Sequence, residues 1–264
     1  MFDRADEGND KAVRVKSLMP ESIVKQVDDS LRRLGVERID LLQFHWPDLN
    51  TPIEESWNTV VNLMKAGKVR SIGLSNHPLE LIKRCEKIAH VDCLQQPLSL
   101  LDRSMNGPYT TSGRNSGGLE VLEWAKQHET SIITFAPLQH GLLAGKYTKE
   151  SVKVFEESGD PLRPNLYWFQ EPVYSQALEF VEYLRTVAGR HNTSVATISI
   201  AWVLAWKGVT GAICGARKPE QLDAFLEAAK LQLTKEDLDD IANAIKKTGV
   251  CIGTGGEGPV YPVM

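Results

Sequence analysis

The sequence lacks an excess of either charge, a long hydrophobic run and any paired cysteine motif. Lys and Arg number 30 against 34 Asp and Glu, a net charge of −4, so nothing indicates a nucleic-acid or membrane partner. No apolar run of about 18 residues predicts a membrane-spanning helix, and the polar N-terminus does not resemble a secretory signal. The four cysteines are scattered, which predicts reduced structural thiols, a cytoplasmic location and no metal site.

Apolar strands and amphipathic helices alternate along most of the chain. Hydrophobic residues make up 42% of the sequence, enough for a sizeable core. The apolar runs predict strands at Ile39–Phe44, 69–74, 91–94, 132–135 and 209–214. Helical spacing predicts helices at 20–34, 53–64, 78–88, 119–128, 174–189 and 195–206, and two more that begin at Pro219 and Thr234.

This alternation predicts an α/β fold with a parallel sheet that is covered by helices. Five strands fit an open doubly wound sheet, or the last five strands of an eight-stranded barrel. Residues 1–19 are predicted to form a polar segment, 20–248 the barrel region and 249–264 a tail. The tail contains a GxGxxG match at 253–258, but it follows a predicted helix and can form no βαβ unit. Residues 147–172 predict an irregular functional loop.

Polar or aromatic residues stand where each predicted strand ends. The groups are His45-Trp46, Ser75-Asn76, Gln95-Gln96, Phe135, and Gly215 to Arg217. Parallel strands present their carboxyl ends at one edge, and active sites of (β/α) barrels lie there. We therefore expect these side chains to share one pocket.

Five segments of the chain closely resemble the aldo-keto reductase family. In order, they are ESIVKQVDDSLRRLGVERIDLLQFHWPD, GKVRSIGLSN, LQQPLSLLDR, FAPLQHGLLAGKY and GARKPEQL. The resemblance implies a (β/α)8 TIM barrel that binds NADP(H) in an extended form and reduces aldehydes and ketones to alcohols. The partner it implies is a small carbonyl substrate.

The resemblance also implies roles for individual residues. His45 would hydrogen-bond the substrate carbonyl, and Trp46 would wall the substrate pocket. Hydroxyl and amide groups of Ser75, Asn76 and Gln95 would hold the nicotinamide carboxamide. The remaining cofactor contacts would come from Phe135 on the nicotinamide ring, Leu138, Gly141 and Leu142 at the pyrophosphate, Gly215 and Arg217 at the 2′-phosphate, and Gln221 at the adenosine.

The chain departs from the family pattern at the catalytic set of Asp, Tyr, Lys and His. Only His45 can be matched, and no tyrosine occurs before Tyr109. We therefore expect an N-terminally truncated member with about five βα units, strands 4 to 8 of the barrel. Its open edges would favour self-association or a complementing chain.

Two other readings remain open. The first is a catalytically inactive, reductase-like protein that binds nucleotide or a partner. It is favoured by the missing tyrosine and by Ala224-Phe225, which align with the family's Glu-Asn pair near the adenine. The second is an unrelated barrel that acts on phosphorylated substrates.

Overall fold

A computed structural model describes residues 2–5, 13–104, 118–160 and 163–250. Within them, strands β1 (Phe2–Ala5) and β2 (Val13–Lys16) form an antiparallel pair that the sequence did not predict. The predicted GxGxxG tail lies outside the described residues. No described helix is both long and apolar enough to cross a membrane.

The strands of the main sheet follow one another in sequence order. They are β3 (Ile39–Phe44), β4 (Val69–Ser75), β5 (Cys93–Pro97), β6 (Ser131–Phe135) and β7 (Val209–Ile213), and they form one five-stranded sheet. Pairing is parallel in the β3–β4 and β4–β5 ladders. The predicted α/β fold with a parallel sheet is confirmed, and the barrel is not closed within the described residues.

Nine α-helices belong to the described part of the chain. They are α1 (Pro20–Leu34), α2 (Ile53–Lys65), α3 (Leu79–Glu86), α4 (Gly118–Gln127), α5 (Ser151–Glu157), α6 (Val173–Arg190), α7 (Val195–Leu204), α8 (Gln221–Ala228) and α9 (Lys235–Thr248). Contacts divide the chain into two compact units: unit 1 spans Met1–Gln96 and Glu123–Ile132, and unit 2 spans Pro97–Leu122 and Ile133–Met264.

In unit 1, local sequence signals set the helix ends. Pro20 begins α1, where a missing N–H costs nothing, and Gly35 ends it with a φ of 66°. Trp57 of α2 is fully buried, meets the ring of Phe44 edge to face at 5.9 Å, and donates its indole N–H to the Ala89 carbonyl. These contacts hold the end of β3 against its covering helix.

In unit 2, α7 and α9 illustrate two kinds of helix. Residues 195–203 of α7 are all buried, as expected for a helix that is apolar on every face. The predicted capping box at Thr234 is present: its hydroxyl accepts from the Asp237 N–H, and the Asp237 carboxylate accepts from the Thr234 N–H.

Two sequence predictions were wrong in detail. The third strand begins at Cys93 rather than Val91, so Gln95 and Gln96 lie inside β5 and not after it. Residues 147–172 are not wholly irregular, because they contain α5 and short 3-10 turns at Arg163–Asn165 and Tyr167–Phe169. Edge-to-face contacts of 5.0–6.0 Å among Tyr147, Phe155 and Phe169 give this segment a local core that its polar composition hides.

Candidate functional site

In unit 1, the end of β4 carries a buried hydroxyl and a buried amide. Ser75 and Asn76 are 1% and 2% exposed. The Asn76 amide nitrogen donates to the His45 carbonyl and to Ser75 Oγ, both at 2.9 Å. Because a carbonyl oxygen only accepts, these contacts fix which end of the amide is nitrogen. The other end, Asn76 Oδ1, is buried and has no hydrogen-bond partner among the described residues.

His45 and Trp46 directly follow β3. The His45 side chain is exposed and Trp46 is half-buried, with their ring centroids 5.8 Å apart. Since the His45 carbonyl accepts from Asn76, the imidazole and the Ser75-Asn76 pair are brought to one end of the sheet. The sequence predicts this placement only from the fact that His45 and the Ser75-Asn76 pair each stand where a predicted strand ends.

Gln95 takes part in a hydrogen-bonded row across three strands. Its Nε2 donates to Gln43 Oε1 at 3.0 Å, and its Oε1 accepts from Ser75 Oγ at 3.5 Å. Gly73 of β4 pairs in register with Gln43, and a Cβ at Gly73 would stand 2.3 Å from the Cys93 carbonyl oxygen. The β3 and β5 side chains meet because β4 carries no side chain at that point.

In unit 2, a cleft of about 590 Å³ lies beside the ends of β6 and β7. Five of the sequence-predicted residues line it: Leu138, Gly141, Gly215, Arg217 and Gln221. Leu142 is buried at 1% exposure and Phe135 is half-buried, and neither is among the lining residues. Ala224 and Phe225 also line the cleft and give one wall an apolar and aromatic surface.

The charge of this cleft is positive. Its described lining includes Lys146, Arg163 and Arg217 and no carboxylate. Partial burial lowers the pKa of Lys146, and the charges of Arg217 and Arg163 lower it further. Arg163 pairs with Asp160, whereas Lys146 and Arg217 make no ion pair in the described part of the chain. Two nearby cations that have no counter-charge among the described residues, Lys146 and Arg217, favour an anionic ligand.

The wall formed by residues 136–141 has an unusual backbone. Ala136, Gln139 and His140 have positive φ values of 57°, 43° and 56°. Such conformations cost about 1 kcal/mol or more for a non-glycine residue and cluster at functional sites. At Gly141, with a φ of 90°, a Cβ would stand 2.9 Å from the Tyr147 hydroxyl oxygen. Glycine therefore fits this turn where a larger residue would not.

Gln221 orders the turn that carries Arg217. Its Oε1 accepts the backbone N–H groups of Arg217 at 2.7 Å and Lys218 at 3.1 Å. This contact ties the start of α8 to the turn that follows β7. Sequence reasoning gave Gln221 a ligand contact and did not foresee this backbone role.

Sequence reasoning missed several residues of both groups. Lys146 lies inside the segment FAPLQHGLLAGKY, but the sequence analysis predicts no role for its basic side chain. Arg163 lies in the segment that is predicted to be irregular. In unit 1, Gln43 is not among the predicted site residues, although a glutamine inside the apolar run IDLLQF is a usable signal. Gln96 lies in the segment LQQPLSLLDR and His77 directly follows GKVRSIGLSN, but the sequence analysis predicts no role for either side chain.

Comparison with known proteins agrees with this architecture. The family model described as "Aldo/keto reductase family" matches residues 8–246. The chain therefore belongs to the aldo-keto reductase family.

Similar proteins include aldo-keto reductase YhdN of Bacillus subtilis (strain 168), 35% identical over 227 residues that cover 86% of this chain and 64% of the relative. The NADH-specific methylglyoxal reductase of Escherichia coli (strain K12) is 28% identical, with 88% of this chain and 68% of the relative covered. The chain thus spans about two thirds of the length of these relatives. The solved structure of glycerol dehydrogenase AKR11B4 from Gluconobacter oxydans matches with a TM-score of 0.79 at 30% identity, covering 100% of this chain and 73% of that one.

Proposed function

We propose that this protein is an NADP(H)-dependent oxidoreductase that reduces small aldehydes or ketones to alcohols. The observation that carries the proposal is the cleft lined by Lys146, Arg163 and Arg217 without a carboxylate. A dinucleotide phosphate is rich in anionic oxygens, and a guanidinium suits the 2′-phosphate through paired hydrogen bonds. The positive φ values at 136 and 139–141 shape the wall beside which the pyrophosphate would lie.

The unit 1 residues, taken by themselves, suit a nicotinamide carboxamide. Asn76 Oδ1 is a buried acceptor that lacks a donor, and leaving it unsatisfied costs about 1–3 kcal/mol. The NH2 group of a nicotinamide carboxamide is a donor of the required kind. Ser75 and Gln95 offer further polar atoms next to it.

Carbonyl reduction assigns a positioning task to His45. When bound, the cofactor supplies a hydride. The exposed imidazole of His45 would donate a hydrogen bond to the substrate carbonyl and orient it, and half-buried Trp46 would limit access of water. No tyrosine occurs before Tyr109 to offer a phenol, so the alkoxide left by hydride transfer would take its proton from solvent water.

Relatives use both nicotinamide cofactors. One relative is the NADH-specific methylglyoxal reductase of E. coli, and another, 29% identical, is "Aldo-keto reductase yakc [NADP(+)]" of Schizosaccharomyces pombe. For this chain, the 2′-phosphorylated form is favoured by Arg217, which lines the cleft and has no ion-pair partner among the described residues.

The second candidate is a nucleotide-binding protein without catalysis, and the absent tyrosine favours it. Purified protein is titrated with NADPH, and NADPH oxidation is then followed with a reactive aldehyde, in wild type and His45→Ala. The reductase proposal expects NADPH binding and slow, aldehyde-dependent oxidation that His45→Ala lowers. Binding without any turnover supports the second candidate, and absence of NADPH binding refutes both.

The sheet edges support a proposal about partners. Among the described residues, β3 and β7 are the end strands of the sheet. An end strand can offer its outer N–H and C=O groups to a strand of another chain. We infer self-association or a complementing chain through these edges. Light scattering after gel filtration should give a mass above that of one chain, and a monomer at all concentrations would contradict it.

The thiols support a cytoplasmic, reducing location. Cys85 and Cys93 are buried thiols that form no disulfide, and burial raises the pKa of Cys85 to about 12. Such a thiol is almost never ionised at neutral pH, so it is a poor nucleophile. It can therefore remain a reduced, structural side chain.

A further inference from the structure

Gln96 is a fully buried glutamine with no task in the proposed reaction. Its Oε1 accepts the Asn76 N–H at 3.1 Å, a proton shared with the Gln95 carbonyl at 3.2 Å. Its Nε2 donates to the His77 carbonyl at 2.9 Å. One side chain of β5 therefore holds the backbone on both sides of the Asn76–His77 peptide.

His77 holds the same segment from the other direction. It is 0% exposed, and its Nδ1 lies 2.7 Å from the Ser75 carbonyl oxygen. Because that oxygen only accepts, Nδ1 carries the proton. Burial lowers the pKa of His77 to about 4, so the ring is neutral and donates this bond throughout the neutral range.

These bonds surround a residue in an unfavourable conformation. Asn76 has a φ of 60°, which non-glycine residues seldom adopt. Ser75, Asn76 and His77 are each tied through a backbone group to Gln96 or His77. The strained turn persists because this buried network over-determines it.

The direction of the Asn76 side chain follows from that turn. With its amide nitrogen engaged by His45 and Ser75, Oδ1 is left as a buried acceptor without a partner. A change of backbone angle at Asn76 would redirect this oxygen.

We propose that Gln96 and His77 are positioning residues that aim Asn76 Oδ1 at the NH2 group of a nicotinamide carboxamide. The proposal rests on the proposed function, because it needs a nicotinamide nucleotide as ligand. Beyond the residues that would contact the nicotinamide, the proposal gives a role to two buried side chains, Gln96 and His77, which act through Asn76.

The test compares three ligands by calorimetry on the full chain. NADP+ carries the carboxamide, its 3-acetylpyridine analogue carries a methyl group in place of the NH2, and adenosine 2′,5′-bisphosphate lacks the nicotinamide half. The readout is the ratio of dissociation constants of the analogue and NADP+. Wild type should bind NADP+ about fivefold or more tightly than the analogue, because only NADP+ offers the NH2 donor that satisfies the buried Asn76 Oδ1.

Gln96→Leu removes both bonds to the turn and should bring that ratio to about one, with bisphosphate affinity unchanged. Gln127→Leu, a change at an exposed glutamine of α4, is the matched control and should keep the wild-type ratio. His77→Leu should also lose the preference. His77→Asn, whose amide can replace the Nδ1 donor, should restore it.

Each outcome decides the proposal. If Gln96→Leu keeps the wild-type ratio, or weakens all three ligands equally, the positioning role is overturned. If Gln96→Leu does not fold, the His77→Leu and His77→Asn pair decides by the same ratio. If wild type does not bind the bisphosphate, the proposed function fails and this inference falls with it. If wild type binds the bisphosphate but binds NADP+ and the analogue equally well, only this inference fails.

Discussion

Arg217→Ala should weaken NADPH binding selectively. Arg217 is exposed on the wall of the unit 2 cleft and makes no ion pair in the described part of the chain, so its charge is available to a phosphate. Truncation leaves the backbone N–H of residue 217 in place to donate to Gln221 Oε1. The turn should therefore survive, and the effect should come from the lost guanidinium alone.

The magnitude follows from the kind of contact. A charge-assisted hydrogen bond contributes about 1.5–3 kcal/mol, more than an exposed ion pair between side chains. At about 1.4 kcal/mol per tenfold, the dissociation constant of NADPH should rise by about 10- to 100-fold. NADH lacks the 2′-phosphate, so its dissociation constant should change by less than about twofold.

The assay is titration of protein fluorescence with each coenzyme at low and high salt. Lys218→Ala is the matched control, because Lys218 is exposed, adjacent in sequence and absent from the cleft lining. It should weaken both coenzymes only slightly, through long-range attraction that salt screens. Equal losses of NADPH and NADH in Arg217→Ala, or an equal effect of Lys218→Ala, would refute the assignment of the 2′-phosphate.

Three further predictions concern pH and stability. In the free protein, burial and the charge of Arg217 hold the pKa of Lys146 below its usual 10.5, and a bound phosphate should raise it. NADPH should therefore bind the protonated lysine more tightly, and its affinity should fall as the pH rises through the pKa of the free protein. A flat alkaline profile of affinity by calorimetry would contradict this. Gly73→Ala should lower the melting temperature by several degrees, because the added Cβ would clash with the Cys93 carbonyl oxygen. The control Gly189→Ala in α6 has free space around the added Cβ and should be neutral or stabilising. Similar melting temperatures of the two variants would disprove the clash. Burial raises the pKa of Asp237, but hydrogen bonds, led by the one from His191, lower it to about 2. The contribution of Asp237 to stability is therefore present above pH 3.8 and is lost as the pH falls toward 2. Asp237→Asn should flatten that part of a plot of melting temperature against pH, and a parallel fall in wild type and variant would argue against the prediction.

Local signals predicted the elements well where they were strong. Pro20 and Gly35 bound α1, and the apolar run Ile39–Phe44 matched β3 without error. Strand ends correctly brought His45 next to Ser75 and Asn76, because parallel neighbours end at one edge. These inferences needed only periodicity and chain direction.

Contacts between distant residues could not be read in the same way. The sequence predicts Gln96 after a strand, whereas it lies inside β5, and its bonds to the Asn76 turn depend on the register of β5 with β4. Lys146 and Arg163 both line the cleft, and the aromatic contacts of Tyr147 with Phe155 and Phe169 lie beside them in sequence. No spacing rule relates such positions to one another.

The most direct test of the central claim is a calorimetric titration of the wild-type chain with adenosine 2′,5′-bisphosphate and with adenosine 5′-monophosphate. The two ligands differ only in the 2′-phosphate that the cationic cleft is proposed to bind. We predict that the bisphosphate binds at least about tenfold more tightly, by the strength of one charge-assisted contact. Equal affinities, or no binding of either ligand, would contradict the assignment of this cleft to NADP(H).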